Sequence, residues 1–336
     1  MYRWSMNAIG REHLQYNQTE LPQPGPGQVR VKVGAVSLNF RDKLMIDNGM
    51  GLPLQFPFIP ASDMAGAVDA LGPGVSRFAV GARVISTFAP GWIDGKPGGT
   101  GRDPLYHSLG GREQGVLAEY VVLDENWLAA APASLNDAEA STLPCAGLTA
   151  WFALVELGRL QQGESVLVQG TGGVALLGLQ IAHALGAKVL VTSGDADKLQ
   201  RALALGATHG IHRKQIDWAT AALELTEDRG IDHILDTVGG GNLAQSLRAV
   251  AVAGRISLIG VLDGFEVSGP SGPFLLKQVT VQGITVGHRR ALEDLVRFVD
   301  AHQIKPVIDQ QYRFADLPKA LAHLDRGAFG KIVLTP

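Results

Sequence analysis

The stretch SVLVQGTGGVALLGLQIAHALG, residues 165–186, constrains the fold more than any other part of the chain. An apolar, strand-forming run meets Gly170, Gly172 and Gly173 and continues into a helix-forming run, so the segment is strand, turn and helix in succession. Gly170 permits the tight turn, Gly172 lets backbone amides approach a pyrophosphate, and Ala175 supplies the small residue needed where the helix packs on the strand. The helix start adds unpaired N–H groups and the positive end of a dipole. In this strand–turn–helix setting the glycine pattern points to a dinucleotide, with Gly170, Thr171, Gly172, Gly173 and Val174 as the expected phosphate cradle.

The texture around the motif agrees with it. From about Gly147 strands and helices alternate. The strand candidates are 165–170, 188–193, 208–213, 232–238, 255–260 and 280–287, with helical segments at 173–186, 195–205 and 242–250. Continuous apolar strands alternating with helices imply a parallel sheet covered on both faces. The first 130 residues are instead β-rich, with strands expected at 28–38, 64–72, 81–87 and 118–124, and a long Gly/Pro-rich loop at 89–115 of the kind that is usually functional. After Gly287, Leu292, Leu295, Val296 and Val299 form one helical stripe, and 330–334 is strand-like.

Composition narrows the partners. With 46% hydrophobic and 18% charged residues the 336-residue chain can bury a core, and its formal net charge of −3 offers no electrostatic footprint for nucleic acid. No apolar run reaches the roughly 18 residues of a membrane span, and the first residues lack the apolar core of a signal peptide. The single cysteine, Cys145, cannot form an internal disulfide, which suits a reducing cytoplasm. The expected partner is a small molecule, without nucleic acid or membrane.

The second strand of the alternating region carries a test of cofactor type. NAD-selective sites place a carboxylate at its end to bond the ribose 2′-hydroxyl. Here the strand ends at Ser193, with Lys198 one helical turn on and Arg213 closing the third strand. A small neutral residue near two cations suits a phosphomonoester, so NADPH is expected, with NADH as the alternative. Asp195 and Asp197 fall at a helix start and are expected to cap it.

On the blocks QVRVKVGAVSLNFRD, FIPASDMAGAVDALGPGVSRFAVGARV, LPCAGLTAW, VLVQGTGGVALLGLQIA, LALGATHGI, GRISLIGV and FGKIVL, in this order, the chain resembles the medium-chain dehydrogenase/reductase superfamily over essentially its whole length. It most resembles the zinc-free branch of quinone oxidoreductases and alcohol dehydrogenase-like proteins. The resemblance implies an α/β fold with a GroES-like β-barrel domain, residues 1–146 and 288–336. Into it is inserted a Rossmann domain with a doubly wound parallel sheet, residues 147–287. It also implies a homodimer through the Rossmann sheet edge near 280–287. Zinc-dependent relatives hold metal with a Cys, a His and a Cys where this chain has Asn39, Ser62 and Cys145. Zinc needs three strong protein ligands, so metal independence is expected.

The resemblance further places Asn39 beside the nicotinamide and Thr149 at its contact. Val238, Gly260, Val261 and Leu262 fall at the strand ends that pass the ribose. Lys331 would reach cofactor phosphate, and Arg289 or Arg290 the pyrophosphate. Without a Lewis acid, hydrogen-bond donors must stabilise the accepting oxygen. Asn39, Asp42 and Ser62 are the catalytic candidates, with Arg41 and Asp63 beside them, Phe40 and Trp92 as apolar walls, and Tyr106 and His107 as proton donors. Such donors suit electrophiles that already delocalise charge, so the expected reaction is hydride transfer from NADPH to a quinone or an α,β-unsaturated carbonyl. The alternatives are a metal-free NADP-dependent alcohol/aldehyde dehydrogenase and a cofactor-binding structural or sensor protein.

Overall fold

A strand covered on both faces is apolar over most of its length, and Ser165–Gln169, with Val166, Leu167 and Val168 at its centre, is buried at every position. In the computed structural model, which describes residues 1–336, this strand lies inside a six-stranded parallel sheet. The sheet runs His209–His212, Lys188–Ser193, Ser165–Gln169, Ile231–Asp236, Val250–Leu258, Thr280–Gly283. In chain order that is third, second, first, fourth, fifth, sixth, the doubly wound order, and its direction reverses between the first and fourth strands. Helices Gly173–Ala184, Ala196–Ala204, Trp218–Leu225 and Asn242–Ala249 lie between successive strands. Two expected strands differ in extent. The fifth begins at Val250 because Ala253, with φ of 58°, takes up a bulge that shifts its register against Ile231–Asp236. The sixth stops at Gly283, shortly before Val286 turns the chain with φ of 69°.

The chain divides into two compact units, Met1–Leu148 with Val286–Pro336, and Thr149–Thr285. The expected junctions, 146/147 and 287/288, lie two residues from these at each crossing. The first unit is built on the long strand Gln28–Leu38, whose Val29, Val31 and Val33 alternate into the core. It pairs antiparallel with Asp63–Leu71, with Tyr120–Asp124 and with Lys331–Thr335. Arg83–Ser86, Leu128–Ala130 and Ile308–Arg313 extend the sheet. The strand pattern of the sequence missed the hairpin of Tyr2–Met6 with Leu14–Gln18, where polar residues dilute the apolar alternation. The stripe at Leu292, Leu295, Val296 and Val299 lies buried along the helix Arg289–His302. No helix is long and apolar enough to cross a membrane.

The hairpin is tied to the far end of the chain. Buried Trp4 donates Nε1–H to the Phe314 carbonyl at 2.7 Å and stacks on Tyr16 with ring centroids 5.2 Å apart. Trp4→Phe keeps the stacking and leaves that carbonyl unpaired. It is expected to lower stability by about 1–2 kcal/mol, read as a lower urea midpoint with an unchanged slope.

Candidate functional site

In the second unit, the turn after Ser165–Gln169 does what its glycines suggest. Gly170 has φ of 82°, in the left-handed region that favours glycine. Gly172 is extended, at φ −81° and ψ −176°, so its backbone does not demand glycine, and a Cβ there would meet no protein atom within 4 Å. The space beside it is open to a ligand, which fits a pyrophosphate close to the backbone. The helix ladder opens with Leu176 N–H donating to the Gly172 carbonyl, so the amides just before it have no helical acceptor. Buried Ala175 sits in the first turn as expected. Helix and sheet side chains are also tightly packed at Gly178, where a Cβ would come within 2.6 Å of Leu235 Cδ1, a position the sequence pattern does not single out.

At the expected adenosine end, buried Ser193 pairs in register with His212, and Arg213 N–H donates to the Ser193 carbonyl at 2.9 Å. Arg213 is thus held beside Ser193 and is exposed. Asp195 caps the next helix by accepting from Lys198 N–H at 3.1 Å, and that bond, foremost, pulls its carboxyl below the ordinary range. The structure adds a cation: the stem of Lys214 crosses Gly194, its Cε 2.7 Å from where a Cβ would stand. Lys214 lies on a neighbouring strand end, so spacing along the chain could not place it beside the turn after Ser193.

The strand ends expected to pass the nicotinamide ribose come together around one carboxylate. Fully buried Asp236 accepts from Val238 N–H at 3.0 Å and Gly239 N–H at 2.9 Å through Oδ1. Its Oδ2 accepts from Asn242 at 3.0 Å and Ser246 at 2.9 Å. Gly260 N–H donates to the Asp236 carbonyl at 3.1 Å and Asp263 N–H to the Val238 carbonyl at 3.0 Å, which sets Val238 beside Gly260, Val261 and Leu262. Thr149 is buried in the short helix Leu148–Trp151, flanked by π-helical segments Leu143–Gly147 and Phe152–Glu156.

In the first unit the sheet register gathers a second constellation. Leu38 pairs with Ile332 on one side of its strand, and Ser37 pairs with Asp63 on the other. Asn39 therefore leaves the strand between Lys331 and Ser62. Lys331, 4% exposed, donates to the Leu38 carbonyl at 2.6 Å and to Asn39 Oδ1 at 2.5 Å. Asn39 Nδ2 reaches Ser62 Oγ at 3.4 Å, and Ser62 donates to Asp63 Oδ1 at 2.6 Å. Asp63 Oδ2 accepts Cys145 N–H at 2.9 Å. Asp42 opens the helix Phe40–Asn48, and its Oδ2 accepts Asn39 N–H at 2.8 Å. Arg41 lies near the rings of Phe88 and Tyr106, accepted by Tyr106 Oη at 2.8 Å and Ser108 Oγ at 2.6 Å.

Burial dominates the electrostatics. It pushes the Asp42 carboxyl up to about 6, with Arg41 opposing and Asp63 adding to the shift. Asp42 Oδ1 has no hydrogen-bond partner, and Arg41 Nη1 is 3.5 Å away. Burial also raises Asp63, against Lys331, Ser62, Asn39 and the Cys145 amide, which favour its charged form. It drives the Cys145 thiol well above its ordinary range, with neighbouring Asp63 adding to the effect.

Several expectations need correction. Lys331 does not extend toward a phosphate: its ammonium is buried and spent on Leu38 and Asn39. Asp42, a catalytic candidate that the sequence suits still better to anchoring the loop, is fully buried and anchors Asn39 through Oδ2. Arg289 and Arg290 are engaged within their own unit, Arg289 with Asn126 and Glu293, Arg290 with Asp94 and Asp294. Trp92 donates Nε1–H to the Gly95 carbonyl, Phe40 lies under Lys43, and His107 pairs with Glu113 at 2.6 Å.

The family model for the GroES-like domain of alcohol dehydrogenases matches residues 25–133, and that for zinc-binding dehydrogenases matches residues 173–301. A zinc-type alcohol dehydrogenase-like protein of Schizosaccharomyces pombe is 38% identical, across 97% of this chain and 96% of its own length. A crystal structure of a provisionally assigned alcohol dehydrogenase from Sinorhizobium meliloti 1021 superposes with a TM-score of 0.98 at 61% identity, covering 100% of this chain and 98% of that one. The Pseudomonas syringae pv. tomato DC3000 quinone oxidoreductase superposes with a TM-score of 0.83 at 30% identity, covering 100% and 99%. The zinc that one family name carries does not fit the donor set here. Asn39 Oδ1 is held by a lysine, the Ser62 proton by Asp63, and the Cys145 thiol is far from ionising, whereas zinc binds thiolate and neutral imidazole.

Two outcomes test these sites. Gly172→Ala is expected to leave the unfolding midpoint within about 2 °C and to weaken dinucleotide binding at least about tenfold, measured by cofactor titration. Asp42 gives a pH dependence. Because its native pKa is raised, the folded chain holds a proton that the unfolded chain has released between about pH 4 and about pH 6. Its contribution to stability therefore falls as pH rises through that window. Asp42→Asn keeps an acceptor for Asn39 N–H but does not titrate. Urea unfolding should show a gap favouring the variant that widens from pH 4 to 6, on the order of 2 kcal/mol, and is flat above.

Proposed function

The chain belongs to the medium-chain dehydrogenase/reductase superfamily and is an NAD(P)-dependent oxidoreductase, and within that family we propose a metal-independent reductase of quinones or α,β-unsaturated carbonyls that prefers NADPH. The reading is carried by one observation: where a catalytic zinc would need its ligands, an asparagine amide is held by a buried lysine. A bound nicotinamide would supply the hydride, and solvent water the proton that neutralises the reduced acceptor. Asn39 Nδ2 donates to the acceptor's carbonyl oxygen, where negative charge develops. Asp42 fixes the Asn39 backbone, while Ser62 and Asp63 hold the far side of its amide. An amide donor stabilises less charge than a metal ion, which favours electrophiles that spread charge over a conjugated system.

The NADPH preference rests on Ser193, which cannot repel a 2′-phosphate, on Arg213, whose backbone bonds Ser193, on Lys214, whose stem crosses Gly194, and on Lys198 in the next helix. The lone Cys145 suits the reducing cytoplasm. A homodimer is proposed through the edge strand Thr280–Gly283, because Phe265, Leu275 and Leu276 are 76%, 69% and 84% exposed in the segment before it. The alcohol dehydrogenase in the names of two relatives supports a second reading, an alcohol or aldehyde dehydrogenase, which the donor set of Asn39, Ser62 and Cys145 makes metal-free.

The deciding experiment is a panel of quinones, enones and aldehydes with NADPH or NADH, and of alcohols with NADP⁺, each with and without chelator. Turnover of quinones or enones, insensitive to chelator, is expected, and Asn39→Ala should lower kcat/KM about 100-fold. Lys214→Glu should raise the NADPH KM about tenfold with NADH little changed. Activity confined to alcohols would establish the second reading, and activity lost to chelator and restored by zinc would end both.

A further inference from the structure

We infer that Lys331 is a positioning residue: its ammonium locks the Asn39 side-chain amide in a single orientation, with Oδ1 turned to the lysine and Nδ2 left as the donor. The inference rests on the reading of Asn39 as the group that donates to the acceptor. The two ends of a carboxamide have nearly the same shape, so only their partners decide which way it points. Lysine has donors and no acceptor. Its Nζ already faces one unambiguous oxygen, the Leu38 backbone carbonyl at 2.6 Å, and the Asn39 atom 2.5 Å away must therefore also be an oxygen. A flipped amide would set an N–H₂ against an ammonium in a pocket where Lys331 is 4% exposed and water cannot relieve the clash.

The other end of the amide agrees. Ser62 spends its proton on Asp63 at 2.6 Å, so its oxygen is free to accept from Asn39 Nδ2, at the long distance of 3.4 Å. The bonds then run in one sense, from Lys331 through Asn39 and Ser62 to Asp63, with the Cys145 amide closing on the same carboxylate at 2.9 Å. A cation at one end and a carboxylate at the other polarise the chain in the direction that strengthens the amide N–H as a donor. Nδ2 thus faces Ser62 and Asp63, both of which can accept from it. Sheet pairing keeps the lysine in place, because Ile332, the next residue, is in register with Leu38.

The test is a double-mutant cycle with Lys331→Met, Asn39→Ala and the pair, reading kcat with a quinone or enone acceptor and the Kd of NADPH separately. Lys331→Met is expected to lower kcat at least tenfold and leave the NADPH Kd within twofold, while Lys331→Arg restores part of the loss. The pair should be no slower than Asn39→Ala alone, within twofold. If the losses of the two single variants multiply in the pair, or if Lys331→Met weakens NADPH tenfold, Lys331 does not act through Asn39 and the inference falls while the donor role of Asn39 stands. If Asn39→Ala itself keeps kcat/KM within twofold, the donor reading falls, and the inference with it. Should Lys331→Met fail to fold, Lys331→Gln, which can still donate to the Leu38 carbonyl but carries no charge, takes its place in the cycle with the same deciding outcomes.

Discussion

The register of three strands governs the first unit. Gln28–Leu38 is paired along both edges, and its last residues are opposed by Ile332 on one side and Asp63 on the other. This cross-section sets a lysine, an amide, a hydroxyl and a carboxylate in a row, although Lys331 and Asn39 are 292 residues apart. A shift of one residue in either ladder would turn every side chain to the opposite face and dissolve the row. The apolar alternation of Val29, Val31 and Val33 forbids that shift, so packing far from the polar cluster determines its geometry.

Burying this much polarity is costly, and the cluster shows how the cost is met. Asp63 accepts a serine hydroxyl and a backbone amide, and it lies within reach of the Lys331 charge. Asp42 is less well provided for, with one oxygen unpartnered and its proton affinity correspondingly raised. The second unit resolves the same problem with Asp236, whose two oxygens receive four donors. In each case a buried carboxylate orders the backbone around it. Carboxylates in such surroundings organise the loops around them.

Most of the second unit was legible in the sequence, because its signals are local. Apolar runs mark each strand, Gly170 and Gly172 mark the turn, and the helices follow directly. The first unit was less so. Asn39, Ser62 and Cys145 stood out by comparison with metal ligands, but their hydrogen-bond directions depend on a lysine from the other end of the chain. Lys331 was therefore assigned to phosphate, and Lys214 was overlooked because its approach to Gly194 depends on strand pairing rather than spacing. Asp42 suits either a loop anchor or a catalytic group in the sequence, and its bond from the Asn39 backbone N–H makes it an anchor. In physical terms, periodicity and turn chemistry are encoded within a dozen residues, whereas the partner of a buried charge is encoded by topology.

The strand that carries Lys331 also has a bearing on how the protein is made. During synthesis Asp63 emerges long before its compensating cation, and the sheet edge at Val36–Leu38 waits unpaired for residues 332–334. Until then the nascent first unit has a carboxylate it cannot comfortably sequester from water and an open edge able to recruit a foreign strand. The second unit, with its local connections, can be complete by that time. Assembly of the polar row is thus a late event, so a chain interrupted before Lys331–Thr335 would hold the glycine turn yet lack the lysine that bonds the Asn39 side chain.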